Sequence, residues 1–264
     1  MFGMLRSLWL YRNFVLSSIR NELVSRFARS KLGGLWMIIN PLSQVLIYAL
    51  ILSNVLAAKL PGIDNKYAYA IYLMSGLLAW TLFNEIMSRC LNLFIEQGNL
   101  MKKMSFPRVT LPTIVMGSCL LNNLLLFVAM LGIFAMLGHQ FSLAMLWLIP
   151  LTILTVVMAL GMGLILGVMN VFLRDIGQAI PILLQVWFWF TPIVYPVNII
   201  PEKFHHLLMF NPIYPITNAY QQVLVYNKTP SFEGVAAIVL VAIVMIIIGL
   251  FVFRRAGEEM VDVL

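Results

Sequence analysis

Charged residues are scarce in this 264-residue chain. Only 10% of its residues are Asp, Glu, Lys or Arg, whereas 62% are hydrophobic. Soluble globular domains carry about 25% charged and about 45–50% apolar residues. The shortage of charge therefore excludes a soluble globular domain, and it predicts an all-α protein that crosses a membrane several times.

Residues for catalysis and metal binding are also few. The chain has two Cys and three His, and the HExxH, GxSxG and paired CxxC patterns are missing. No Gly is followed by Lys, so the sequence has no Walker A loop for ATP hydrolysis. We expect no metal site and no cofactor in this chain. Any active process then needs energy from a partner, or transport is passive.

Long hydrophobic runs are the feature that the sequence has in abundance. A segment of about 20 apolar residues can cross the hydrocarbon core of a bilayer. Six such stretches cover residues 36–58, 68–88, 110–137, 143–169, 178–196 and 235–253. They predict one domain over residues 1–264, with an interfacial region at 1–35, a six-helix bundle at 36–253 and a tail at 254–264.

The basic residues are distributed unevenly between the predicted loops. Of the 17 Lys and Arg residues, only Lys59, Lys66, Lys203 and Lys228 fall on the side of the membrane opposite the two termini. Positively charged loops remain in the cytoplasm. We therefore predict that both termini are cytoplasmic, and that the net charge of +7 reflects topology rather than nucleic-acid binding.

Polar residues inside the predicted spans need partners, because an unpaired polar group is costly in hydrocarbon. Glu85 lies near the cytoplasmic end of the second span, where we expect it to pair or to reach water. At least one of Asn122 and Asn123 should bond a neighbouring helix or line a cavity. Gly163 and Gly167 form a GxxxG motif, which we assign to packing within the chain.

Aromatic residues are concentrated at residues 185–196, QVWFWFTPIVYP. Such residues usually mark the interfaces of a membrane helix, and an interfacial belt is one interpretation. The alternative is a row of rings that faces a wet cavity and stacks on a substrate such as a sugar. The predicted substrate path comprises Trp80, Phe83, Trp187, Phe188, Trp189, Phe190 and Tyr195.

A basic run precedes the first predicted span. Arg20, Arg26, Arg29 and Lys31 would lie under the lipid phosphates, and the Gly33–Gly34 pair would turn the chain into the membrane. The alternative is a solvated charge cluster that only sets topology.

Four sequence blocks resemble the membrane subunits of ATP-binding-cassette polysaccharide exporters. The first is RFARSKLGGLWMIINP at residues 26–41, which matches the family's N-terminal signature with Phe27 where Tyr is commoner. The others are NLMKKMSFPRVTLP at 99–112, RDIGQAIPILLQVWFWFTPIVYP at 174–196 and NPIYP at 211–215. The resemblance covers nearly the whole chain. It implies a homodimer that binds two copies of a nucleotide-binding ATPase subunit, which would hold ATP and Mg.

The predicted cytoplasmic loop at residues 89–112 contains a short amphipathic segment with an apolar knob, which would fit a groove on a soluble partner. The resemblance implies that this segment is the coupling helix that docks on the ATPase subunit. The alternative is another loop at the membrane surface. The predicted coupling residues are Phe94, Ile95, Glu96, Gln97, Gly98, Asn99, Lys102 and Lys103.

Residues 197–234 are rich in proline but contain two apolar runs, each too short to cross a bilayer. Two short helices that dip into the outer leaflet would explain this pattern, and the resemblance implies a re-entrant outer gate between spans five and six. His205 and His206 are more simply interfacial polar residues than ligands.

These features lead to one functional hypothesis and several alternatives. The hypothesis is ATP-driven export of a lipid-linked polysaccharide, an O-antigen, across the bacterial inner membrane. Capsule polysaccharide or teichoic acid export is the alternative within the same family. A membrane-embedded glycosyl- or acyltransferase that uses Glu85 or His139 belongs to another class, and an ion channel or secondary carrier is the third possibility.

Overall fold

The computed structural model describes residues 2–27, 30–36, 39, 43, 47, 68–103, 107–136 and 138–264. Over these residues the secondary structure is helical. The helices are α1 (Phe2–Leu10), α2 (Arg12–Phe27), α3 (Ala68–Glu96), α4 (Gly98–Lys103), α5 (Thr110–Met136), α6 (Leu148–Phe172), α7 (Ile176–Phe190), α8 (His205–Met209), α9 (Tyr214–Leu224), α10 (Phe232–Arg255) and α11 (Gly257–Val263).

Four helical segments of the described part are long and apolar enough to cross a membrane. They are α3, α5, α10 and the segment Leu143–Phe172, in which a 3₁₀ turn leads into α6. Four of the six predicted spans are thus confirmed as helices. The predicted first span, 36–58, lies almost entirely outside the described residues.

Helix α3 is the centre of the bundle. Most of its side chains are buried, whereas α5 and α10 expose wide apolar faces. It packs against α5 and α6 along its length and against α9 near its N-terminal half, while α10 packs on the far side of α6. Because α3 is buried among other helices, its polar residues can find partners there, and its hydropathy is the lowest of the four segments.

Glycines on α6 permit its close contacts with two neighbours. A side chain at Gly167 would clash with the carbonyl oxygen of Cys90 on α3, and one at Gly161 would clash with the backbone of Met245 on α10. Close backbone approach of this kind requires small residues. The prediction that the GxxxG pair at Gly163 and Gly167 serves packing within the chain is therefore confirmed.

The fifth predicted span, 178–196, was wrong at its end. Helix α7 has 15 residues and stops at Phe190, which at about 1.5 Å per residue gives about 22 Å, shorter than the roughly 30 Å hydrocarbon core. Thr191 is extended, with φ −102° and ψ 128°. The reason is Pro192, since the residue before a proline disfavours the helical conformation.

The second predicted span, 68–88, was also too short. Helix α3 continues to Glu96, because the side chains of Cys90, Leu91 and Phe94 are buried against the bundle. The ring of Phe94 stacks on Phe253 of α10, with centroids 5.4 Å apart. The residues that the sequence pattern assigned to the start of a loop therefore form the last two turns of the central helix.

Helix α2 packs along α5 through Val15 and Ile19, both of which are buried. Between α7 and α10, the chain forms two 3₁₀ turns and then α8 and α9. Helix α9 lies against α3 and α6, where Tyr220 is buried and its hydroxyl is 2.7 Å from Oγ1 of Thr152.

Candidate functional site

Four of the predicted path residues form one packed group of rings. Trp80 and Phe83 of α3 are buried, and Trp187 and Phe188 of α7 lie over them half-buried. The centroid distances are 5.5 Å for Phe83–Trp187, 5.6 Å for Trp80–Phe188 and 6.4 Å for Trp80–Trp187. Tilted and edge-on rings at these distances attract each other. This group fixes α7 on α3.

Of the other three predicted path residues, Trp189 contacts this group edge-on, with its ring centroid 5.5 Å from that of Phe188. Trp189 and Phe190 are 58% and 69% exposed, and Tyr195 is half-buried. The hydroxyl of Tyr195 donates to the carbonyl oxygen of Trp189 at 2.7 Å, which folds the chain back over the end of α7. Trp189 and Phe190 are thus the most exposed rings of residues 185–196.

A polar side chain orients Trp187. Its Nε1 donates to Oδ1 of Asn211 at 2.8 Å, and Nδ2 of Asn211 donates to Oγ1 of Thr191 at 2.9 Å. Thr191 in turn donates to the carbonyl oxygen of Trp187 at 2.9 Å. The NPIYP block thereby holds the end of α7, a contact that neither segment predicts alone.

The break after α7 leaves backbone carbonyl groups without helical donors, and three side chains satisfy them. Nε2 of Gln221 donates to the carbonyl oxygen of Pro192 at 3.0 Å. The hydroxyl of Tyr72 is 3.3 Å from that oxygen and 3.3 Å from the carbonyl oxygen of Tyr195. Tyr69 donates to Val194. We call Tyr69, Tyr72 and Gln221 with residues 192–195 the Pro192 lock.

Charged side chains meet near the other end of α3. Nη2 of Arg89 donates to Oε1 of Glu22 at 2.5 Å, and its Nη1 is 3.9 Å from Oε1 of Glu85. Ser118 donates to the second oxygen of Glu22 at 2.7 Å, and Asn122 donates to Glu85 at 2.9 Å. We call these five residues the Arg89 cluster. It ties α2 to α3 and α5.

The contacts of the Arg89 cluster confirm two predictions from the sequence. Glu85 pairs with its neighbours, and both adjacent amides bond another helix, because Asn123 donates to the carbonyl oxygen of Leu78 at 3.0 Å. The participation of Glu22 was missed. A single acid within a basic segment was the available signal, but nothing in the sequence indicates which arginine it meets.

A cavity of about 530 Å³ opens between α2, α3 and α5 beside the Arg89 cluster. Its polar walls are Ser18, Glu22, Ser88, Arg89, Glu96 and Gln97. The cavity therefore connects the helix that carries the basic N-terminal run with the end of α3 that leads into the predicted coupling segment.

The predicted coupling residues divide by exposure. Glu96, Asn99 and Lys102 are exposed, and Ile95 and Gln97 are half-buried. Phe94 lies in the core, so its ring is not available as an apolar knob, and Gly98 is buried under Leu264. The side chain of Lys103 lies outside the described residues. The accessible part of this segment is thus polar.

The predicted gate residues are described in part. Arg20 on α2 and Lys31 beyond it are both exposed. The side chain of Arg26 and the whole of Arg29 lie outside the described residues. The exposed pair is compatible with contacts to lipid phosphates or solvent.

Glu85 and His139, the two residues considered for a transferase, do not form one site. Glu85 bonds Asn122 in the middle of α5, whereas His139 follows the end of that helix and contacts Phe134 and Phe141. The intervening helix from 122 to 136 spans about 21 Å. Partial burial lowers the pKa of His139, which keeps this imidazole neutral at pH 7. In the described part of the chain, no group of three or more His, Cys, Asp or Glu residues could hold a metal ion.

Comparison with known proteins gives the family. The profile described as ABC-2 type transporter matches residues 14–225, from α2 to the end of α9. The chain belongs to the ABC-2 type transporter family. This ABC-2 type transporter is thus a multi-pass membrane protein with a transport role, as its apolar helices also indicate.

Named relatives of this ABC-2 type transporter align over nearly their whole length. An O-antigen export system permease protein RfbA from Myxococcus xanthus is 28% identical over 99% of both chains. Another from Klebsiella pneumoniae is 28% identical over 92% of both chains. A polysialic acid transport protein KpsM from Escherichia coli is 24% identical over 90% of this chain and 92% of its own.

Proposed function

We propose that this chain is the transmembrane subunit of an ATP-driven exporter that moves a lipid-linked polysaccharide, an O-antigen, across the bacterial inner membrane. The observation that carries the proposal is the nearly end-to-end similarity to relatives named as O-antigen export permeases. The exposed rings at the end of α7 support it, because they offer flat apolar faces to a sugar chain.

The proposed topology has six spans and two cytoplasmic termini. Residues 36–58 would form the first span, and α7 the fifth. A 15-residue helix can serve as a span if the chain beyond it remains at membrane depth, which the Pro192 lock permits by satisfying the backbone of residues 192–195. Helices α8 and α9 would then be the re-entrant outer hairpin, with the buried side chains of α9 against α3.

The proposed complex contains two copies of this chain and two copies of a separate ATPase subunit that binds ATP and Mg. Closed twofold symmetry is the commonest arrangement of oligomers. The surface formed by Glu96, Asn99 and Lys102 would contact the ATPase, because these residues are exposed where α3 passes into α4. The basic residues of α2 and the following turn would contact lipid phosphates.

In the proposed path, the two groups of rings have different roles. The packed group around Trp80 and Trp187 holds α7 in place. The polysaccharide would slide along Trp189 and Phe190, which are exposed in the protomer. Stacking on rings is tolerant of the sugar that passes, so it can hold a polymer without trapping it.

The test of the function is ATP-dependent export by reconstituted vesicles. Vesicles that contain this chain, its ATPase subunit and lipid-linked O-antigen should move the polysaccharide only when ATP is present. Vesicles with this chain alone should move nothing and catalyse no transfer reaction. Flux from the chain alone would support a channel or carrier, and a reaction without ATP would support a transferase.

The path has its own test with a matched control. Replacing Phe190 by Ala should reduce export about fivefold, because one aromatic contact contributes about 1 kcal/mol. Phe251 of α10 is similarly exposed, at 60%, but lies on a different helix. Phe251→Ala should leave export unchanged. Equal export by both variants at equal expression would reject the ring path.

Capsule polysaccharide is the second candidate substrate, and the relative named for polysialic acid transport favours it. The same vesicles can distinguish the two candidate substrates. Export of an O-antigen but not of a capsule polymer at matched concentrations would retain the first proposal, and the opposite preference would replace it.

A further inference from the structure

Asn170, in the last turn of α6, makes contacts that the path and the coupling segment do not explain. Its side chain is 1% exposed. Nδ2 donates to the carbonyl oxygen of Leu91 at 2.9 Å and to Oδ1 of Asn92 at 3.3 Å, both on α3. Among the residues that the structure describes, Asn170 Oδ1 is the only buried side-chain N or O atom without a hydrogen-bond partner.

The unpartnered oxygen faces the start of α7. A methyl group at Gly177 would lie 2.8 Å from Oδ1 and 3.0 Å from Nδ2 of Asn170, so a side chain here would displace the amide or the helix. The amide is therefore in contact with α3 on one side and α7 on the other. Both contacts lie at the end of the bundle where α3 leads to the exposed residues Glu96 and Asn99.

We propose that Asn170 is the positioning residue that passes movement from the end of α3 to α7. The inference rests on the proposed function, in which a partner ATPase pushes on residues 96–103. When that push displaces Leu91 and Asn92, the hydrogen-bonded amide moves with them. Because Gly177 packs directly on the amide, the start of α7 moves too, and the helix carries its rings along.

The spare acceptor strengthens the argument. A buried carbonyl oxygen without a donor is unfavourable, and native proteins retain few such atoms. In this arrangement the first N–H groups of α7 donate to the carbonyl oxygens of residues 173–175. Asn170 Oδ1 would gain a partner if a shift of α7 exchanged one of these bonds for a bond to the amide, and such an exchange would stabilise the shifted position of α7.

The experiment compares two buried amides in the reconstituted complex with its ATPase subunit. Asn123 of α5 also donates to a carbonyl group of α3, at Leu78, but its contacts do not include α7. Asn170→Leu should lower the polysaccharide exported per ATP hydrolysed about tenfold, within the usual range of coupling effects. Asn123→Leu should change the export rate and the ATP hydrolysis rate in proportion, so that the polysaccharide exported per ATP hydrolysed stays constant.

If the complex with Asn170→Leu does not assemble, a second pair of variants tests the same inference. Gly177→Ala places a methyl against the Asn170 amide, and Gly117→Ala places one against the side chain of Ile19, where α2 packs on α5. Only Gly177→Ala should lower the ratio. Wild-type export with an unchanged ratio in Gly177→Ala would overturn this inference alone. A wild-type complex without ATP-dependent export would overturn the proposed function and this inference with it.

Discussion

Near the start of α3, neutral side chains donate hydrogen bonds to backbone carbonyl groups, whereas near its end charged side chains contact each other. Tyr72 and Gln221 belong to the Pro192 lock, and Glu22, Glu85 and Arg89 to the Arg89 cluster. Tyr72 of the first group and Arg89 of the second are about 26 Å apart along the helix axis. The same central helix thus carries two kinds of attachment.

The difference has a physical consequence. A neutral hydrogen bond to a fixed carbonyl oxygen is directional and independent of salt. A partly exposed ion pair is less dependent on angle, and dissolved ions weaken it. The carboxylates and the guanidinium of the Arg89 cluster are about a quarter exposed. The Pro192 lock therefore suits a segment that must keep one shape, and the Arg89 cluster suits a joint that changes during transport.

The largest expected effect comes from removing the cation. Arg89→Leu removes the cation that contacts both Glu22 and Glu85, so we expect the free energy of unfolding to fall by about 2–3 kcal/mol. Equilibrium unfolding in mixed detergent micelles measures it. Arg174→Leu, in the exposed turn before α7, is the matched control and should have little effect. A stability equal to that of the control would show that the cluster does not hold α2.

A smaller loss is expected from the neutral group. Gln221→Leu removes the 3.0 Å donor to Pro192 and should lower the free energy of unfolding by about 1–2 kcal/mol. Measured at low and high salt, this loss should stay constant, whereas the loss caused by Glu22→Gln should shrink at high salt. Equal salt dependence in the two variants would remove the distinction between the two ends.

The smallest effect tests the edge of the Pro192 lock. Tyr195→Phe removes one neutral hydrogen bond, from a half-buried hydroxyl to the carbonyl oxygen of Trp189, so the free energy of unfolding should fall by only about 0.5 kcal/mol. If this bond orients the indole of Trp189, the export rate should fall by more than the small loss of stability accounts for. Unchanged export would show that the polysaccharide uses only rings whose positions do not depend on Tyr195.

The sequence predicted the general architecture well because hydrophobic length is a local property. The helices α5 and α10 agree with the predicted spans 110–137 and 235–253 to within three residues at each end. Helix ends next to buried side chains were predicted less well. Nothing local distinguishes Phe94 in the core from Phe94 in a groove of a partner, since both environments favour an apolar ring.

The candidate site was predicted only in part, because many of its contacts join residues that are far apart in the sequence. A run of rings before two prolines is visible in the sequence, but its division into the packed Trp187 and the exposed Trp189 depends on where α3 lies. The Arg89 cluster joins residues 22, 85, 89, 118 and 122. Pairings over such distances in the chain are set by helix packing.

By itself, the sequence determined that the chain enters a membrane, that it has no Walker A pattern and that its rings collect before a proline break. Composition and periodicity carry this information because each residue contributes to hydrophobic length and charge wherever it packs. The tertiary structure alone decided which rings face outward, which carboxylates meet Arg89 and that Gly177 packs on the Asn170 amide. These depend on a few ångströms of separation between helices, and that separation results from the packing of the whole bundle.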